Sequence, residues 1–143
     1  MRDKEIKPLI YACSGCSNAG QMSNWIAVRI DRLGGAEMSC MTGVGGDVPA
    51  LVNKARLRKK IVIEGCKLSC ASACLRQRNL EADMTLNLQD QGVVRREHED
   101  FDQALAEKLV EQVVAQMRAK KLWKSSFEDG REKEAASWLS KPL

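Results

Sequence analysis

Aromatic side chains are scarce in this chain: its 143 residues include three Trp, two Phe and one Tyr. None of them accompanies the densest basic run, Arg56-Leu57-Arg58-Lys59-Lys60, so there is no platform on which bases could stack, and no nucleic-acid partner is expected. The net charge of +4 is mild. The run falls where a helix should end, and cations there meet the negative end of the helix dipole. Histidine is also nearly missing. His98 is the only one, and it sits in the polar stretch Arg95-Arg96-Glu97-His98-Glu99-Asp100, where solvent is its expected partner. No carboxylate–histidine pair stands out as a general base, which argues against hydrolytic chemistry. No apolar stretch approaches the ~20 residues of a membrane span. The apolar residues before Cys13 are too few for an export signal, which needs about seven or more. They read as a buried strand, and the expectation is a cytoplasmic chain without a membrane partner.

What is present points to a globular fold. Hydrophobic residues make up 44% and charged residues 29%, a globular balance in a length that suits one domain with a real core. Apolar runs alternate with helical periodicity. Residues 7–12 read as a strand. Met22, Trp25, Ile26, Ile30 and Leu33 mark a helix over 18–33, ended by Gly34-Gly35. A short strand is expected at 36–41, and a turn at Gly43-Val44-Gly45-Gly46. Asp47 is then expected to cap a helix with Pro49 in its first turn. A strand at 61–64, a helix from Lys67 to about Leu80, and a strand over Met84, Leu86 and Leu88 follow. Phe101, Leu105, Leu109, Val113 and Met117 mark a long amphipathic helix. Residues 1–122 form one α/β domain in this reading. Residues 123–143, with Trp123, Phe127, Trp138 and Leu139 as isolated anchors, form a C-terminal helical extension. Strands alternating with helices imply a three-layer α/β/α fold around a small parallel sheet, and right-handed crossovers favour the strand order 2-1-3-4. Ligands in such sheets bind at the C-terminal strand ends, where the order reverses.

Six cysteines stand at those ends. Cys13 and Cys16 follow the first strand, Cys40 the second, and Cys66, Cys70 and Cys74 the third. In a reducing compartment a thiol cluster is a metal site or a redox site rather than a set of disulfides. Cys13-Ser14-Gly15-Cys16 fits half a zinc site or a thioredoxin-like pair. Cys66, Cys70 and Cys74, four apart, would form a stripe if they shared one helix. Helices beginning after Cys13 and Cys66 would lower the thiol pKa values. The spacing does not choose among zinc, iron–sulfur clusters and copper(I). It favours Cys13, Cys16, Cys66 and Cys70 as a set. The glycine-rich turn could cradle an anion, although it lacks the lysine and length of a P-loop.

Tyr11-Ala12-Cys13-Ser14-Gly15, Met38-Ser39-Cys40 with Gly43-Val44-Gly45-Gly46-Asp47-Val48-Pro49, and Glu64-Gly65-Cys66 with Cys70-Ala71 resemble the DGC-domain family of bacteria and archaea. The family is named for an Asp-Gly-Cys motif followed by a second cysteine. This chain carries Glu64 in place of that aspartate, which keeps the charge and lengthens the side chain. The resemblance implies zinc binding with no assigned activity, and its four metal cysteines map onto Cys13, Cys40, Cys66 and Cys70. Cys16 and Cys74 fall outside that set. The expected function is therefore zinc held for storage, sensing or delivery. A cysteine-dependent redox or persulfide enzyme and a small iron–sulfur protein are the alternatives.

Overall fold

The computed structural model describes residues 6–123; residues 124–143, with Phe127, Trp138 and Leu139, lie outside the described residues. The elements run β1 (Leu9–Ala12), α1 (Asn18–Leu33), β2 (Glu37–Met38), α2 (Met41–Gly45), α3 (Pro49–Leu57), β3 (Lys60–Glu64), α4 (Cys70–Gln77), β4 (Met84–Asn87) and α5 (Gln103–Ala119), with a 3₁₀ turn at Gln89–Gln91. The four strands are all parallel and ordered β2-β1-β3-β4, the order expected from the crossovers.

β1 and β3 are central and buried along their whole length, which is why they read as continuous apolar runs rather than alternating ones. Side-chain alternation sends their residues into two layers. Ile10, Ala12, Ile61 and Ile63, with Met84, Leu86 and Leu88, pack against Met22, Trp25, Ile26 and Ile30 of α1 and against Leu109, Val113 and Met117 of α5. Leu9, Tyr11 and Val62 pack on the other face, against Val44 of α2, Ala55 of α3, and Ala71 and Leu75 of α4. The fold is thus α/β/α, with β1 at the point where the chain reverses direction across the sheet.

α1 begins where Ser17 caps it, its hydroxyl accepting from the Gly20 N–H at 3.1 Å, and stops at Gly34 in the left-handed conformation. α5 is capped by Asp102, which accepts from the Leu105 N–H at 3.1 Å. Leu122 is buried in the α1/α5 layer and Trp123 packs over Gly35.

Four local expectations are corrected. The strand expected at 36–41 is only Glu37–Met38, because Cys40 turns the chain into a helix. The glycines expected as a turn lie largely inside α2, whose first N–H groups are served by the Cys40 side chain. Asp47 does not cap α3: it adopts φ 60, the cap position belongs to Val48, and the Asp47 carboxylate pairs instead with Arg78 at 3.5 Å. The helix expected from Lys67 starts only at Cys70, since Ser69 takes a left-handed φ of 51 that no helix interior accepts.

Candidate functional site

β1 and β3 are neighbours in register, with Ala12 opposite Ile63. The residues that follow them therefore emerge side by side at the same sheet edge. The Cys13 N–H extends this ladder by donating to the Ile63 carbonyl at 3.2 Å, which fixes Cys13 at the strand end. Its loop is tied down by α1. The Ser23 hydroxyl bonds the Cys13 carbonyl, and the Gln21 side-chain amide donates to the Gly15 carbonyl at 2.7 Å.

Gly65 lets β3 run hard against α1. A Cβ there would lie 2.8 Å from the Ala19 carbonyl carbon and the Gly20 nitrogen, closer than real Cβ contacts come. These atoms are backbone and cannot swing away. Gly65→Ala is therefore expected to destabilise the protein by about 2–3 kcal/mol through overpacking, read as a lower urea midpoint at unchanged m-value.

Cys66 follows in a loop pinned from the end of β4. The Asn87 amide donates to the Cys66 carbonyl at 3.0 Å, and the Gln89 side chain accepts from the Lys67 N–H at 2.7 Å. Cys70 then opens α4. What holds that helix start is Glu64, whose carboxylate is only 1% exposed. It accepts from the Ser72 N–H at 2.6 Å and from the Ala71 N–H at 3.3 Å. A buried carboxylate facing otherwise orphaned helix amides is satisfied by those bonds and by the positive end of the helix dipole. Glu64 thus sets where Cys70 stands relative to Cys13 and Cys66.

Burial pushes the Cys13 thiol above its ordinary pKa, a hydrogen bond to the Gly15 backbone opposes this, and negative charge at Cys70, Glu64 and Cys66 raises it further. This reverses the expectation that a helix start would lower it: α1 begins only at Asn18, beyond the reach of its terminal dipole. The sign has a consequence for the metal-free protein. A folded-state value above the unfolded one contributes stability that is complete below the ordinary thiol range, about pH 8.5, and is lost as pH rises through the raised value. Stability should fall on the alkaline side, and Cys13→Ser should flatten that limb in urea midpoints measured from about pH 7 to about pH 10.

The other cysteines are placed differently. Cys40 is exposed and caps α2, its sulfur accepting from the Gly43 N–H at 3.3 Å. It lies one strand over, close enough that its charge is felt at the buried hydroxyl of Tyr11. That hydroxyl lies toward Ser39 without a hydrogen bond of normal geometry. Cys16 is exposed, and the Arg95 guanidinium is paired with Glu97 at 3.1 Å. Cys74 sits one turn into α4, half-buried against Gly45, where a Cβ would come within 2.9 Å of its sulfur. The stripe of three on one helix does not exist: only Cys70 and Cys74 are helical. His98 is exposed, as the polar stretch around it implies.

Sequence reasoning missed Glu64 and Asn18. Asn18 is buried and reaches across to the segment after β4. Its amide donates to the Val94 carbonyl at 2.9 Å, its oxygen accepts from the Arg96 N–H at 2.6 Å, and its backbone N–H donates to the Arg96 carbonyl at 3.0 Å. An asparagine two residues after a cysteine is the only local signal, and it does not name a partner so far along the chain.

All six cysteines are free thiols. Among the described residues, no three His, Cys, Asp or Glu side chains converge into a closed coordination set. The donor chemistry fits a soft cation. Cys16, Cys40 and Cys70 are exposed, so their side chains can turn toward one without disturbing the core. No helix among the described residues is long and apolar enough to cross a membrane.

A parallel three-layer α/β domain whose first three strands are each followed by a cysteine is what this chain forms. The sequence matches the DGC domain family over residues 9–113, and the chain belongs to that family. It is also similar to the anaerobic and virulence modulator AnvM of Pseudomonas aeruginosa, with 47% identity over 103 residues, covering 71% of this chain and 79% of the relative. No solved structure matches it.

Proposed function

We propose that this protein binds a soft divalent cation, zinc, through thiolates at the C-terminal strand edge, and that it serves metal storage, sensing or delivery. The observation that carries this reading is the adjacency of Cys13, Cys66 and Cys70: register places the first two, Glu64 places the third, and charge on either of the latter two is felt at Cys13. Cys40 completes the set that the family resemblance implies, and Cys16 is the rival fourth ligand. Because zinc takes thiolate, a raised Cys13 pKa carries proton competition to higher pH, and binding should weaken as pH falls.

A second reading is favoured by the exposure of Cys16, Cys40 and Cys70. Accessible thiols beside a C-x-x-C can pass between dithiol and disulfide, releasing two electrons and two protons to an oxidant. The relative is named an anaerobic and virulence modulator. Carried to this chain, that name supports a role in which thiol state reports on oxidant, with the cytoplasm as the compartment.

Metal analysis and an absorption spectrum of anaerobically purified protein test these readings. Zinc binding predicts on the order of one zinc per chain, with Zn–S distances of about 2.3 Å and no visible absorption. Stoichiometric iron with sulfide would replace zinc by a cluster. Metal-free protein with fast-reacting Cys13 would favour the redox reading.

A further inference from the structure

We infer that the protein has a second binding site, at the opposite end of the sheet from the thiols, which takes a small organic anion with a hydrocarbon part. It stands independently of the metal-binding reading above. A cavity of about 550 Å³ opens there, within the size range of small-molecule sites. Its walls come from segments that lead into strands or leave a helix. Pro8 leads into β1, Lys59 into β3 and Asp83 into β4, while Lys120, Lys121 and Leu122 follow α5. Ile6, Pro8 and Leu122 make one side of it apolar. The three lysines face a single carboxylate, so the lining carries a surplus of positive charge.

The wall is held in place before any ligand arrives. The Lys59 carbonyl accepts from the Leu9 N–H at 2.8 Å, and the Asp83 N–H donates to the Lys60 carbonyl at 2.7 Å. The Asp83 carboxylate is already served, by the Lys60 N–H at 2.8 Å and the Lys59 ammonium at 3.3 Å. No ion pair among the described residues takes Lys120 or Lys121. The dipole of α5 accounts for cations at its end. It does not account for Lys59, which another element brings to the same space, nor for the choice of residue at 121. The Leu122 N–H donates to the Met117 carbonyl at 2.8 Å and the Lys121 N–H to the Arg118 carbonyl at 3.0 Å, and between these bonds Lys121 takes φ 56. Glycine adopts that conformation at such helix ends without a side-chain penalty. Lysine there sets a cation on the cavity wall at a conformational cost.

The test is titration of the full chain with hexanoate at low salt, followed by amide NMR shifts. The amides of Lys59, Asp83, Lys121 and Leu122 should move together, and those of Cys13, Cys66 and Cys70 should stay still. Lys121→Gly is expected to weaken binding about threefold to tenfold. Its urea midpoint should stay at or above wild type, which separates loss of charge from damage to the fold. Lys108→Ala, the same change of charge at an exposed position of α5, should leave the affinity within about twofold of wild type. Hexanol and inorganic phosphate each carry half of the chemistry, and each should bind at least about tenfold more weakly than hexanoate. Absence of shifts at the cavity overturns the inference, as does phosphate binding equal to that of hexanoate. Anionic lipid vesicles that broaden these amides where hexanoate leaves them still would also overturn it, by making this face a membrane contact.

Discussion

Serine in place of Cys66 is expected to weaken zinc binding by at least about a hundredfold and to remove most of the thermal stabilisation that zinc confers. Cys66 follows β3 in a loop whose Cys66 carbonyl is pinned by the Asn87 amide, so another thiol could take its place only by moving that loop. It lies outside the hydrophobic core, half-exposed in that loop. The metal-free variant should therefore unfold within about 0.5 kcal/mol of the metal-free wild type, the range of a surface substitution. With zinc at about 1,000 times the wild-type Kd, wild type should gain about 4 kcal/mol and the variant no more than about 1.4 kcal/mol. Melting curves with zinc and with chelator distinguish the two. The same measurement on Cys16→Ser and Cys40→Ser decides the fourth ligand. Loss at Cys40 supports the set the family implies. Loss at Cys16 with Cys40 intact selects the set that spacing favours.

Glu64→Ala is expected to cost about 3 kcal/mol whether or not metal is present. It strands the Ala71 and Ser72 N–H groups, removes a carboxylate from the α4 terminus, and leaves a cavity where a fully buried side chain stood. Glu64→Asp restores charge and acceptor but falls one methylene short of the helix, so its cost should lie well below that of alanine. Urea midpoints give these values, and hydrogen exchange at Ala71 and Ser72 gives their location. A Glu64→Ala protein as stable as wild type, with α4 amides still protected, would remove Glu64 from the site's construction.

The sheet order could be read from the sequence because its determinants are local and repetitive. Leu9–Ala12 and Ile61–Ile63 are uninterrupted apolar runs, α1 and α5 keep a 3.6-residue period, and right-handed crossovers leave few ways to join them. The emergence of Cys13 and Cys66 at the same sheet edge follows from that order. What escaped was decided by single backbone torsions and by distant partners. Ser69 at φ 51 removes Cys66 from the helix that its spacing suggested. Cys40 as a cap makes a helix out of a glycine-rich pentamer that reads as a turn. Glu64 resembles any strand-end acid until the helix amides above it are seen. The lowered pKa expected for Cys13 failed because burial outweighs a helix dipole that starts too far along the chain.

The grip of Asn18 on Val94 and Arg96 spans 76 and 78 residues. On a ribosome adding about 5–20 residues per second, the partners of Asn18 are made roughly 4–16 s after it. Every cysteine has been translated by then, yet the loop of Cys13 and Cys16 still lacks the segment that fastens it. A nascent chain therefore displays six thiols before it possesses a finished site. Parallel strands, which pair only through long crossovers, lengthen that interval. Until the 94–96 segment has been made and docked on Asn18, the thiols stand open to any oxidant or soft ion in the cell.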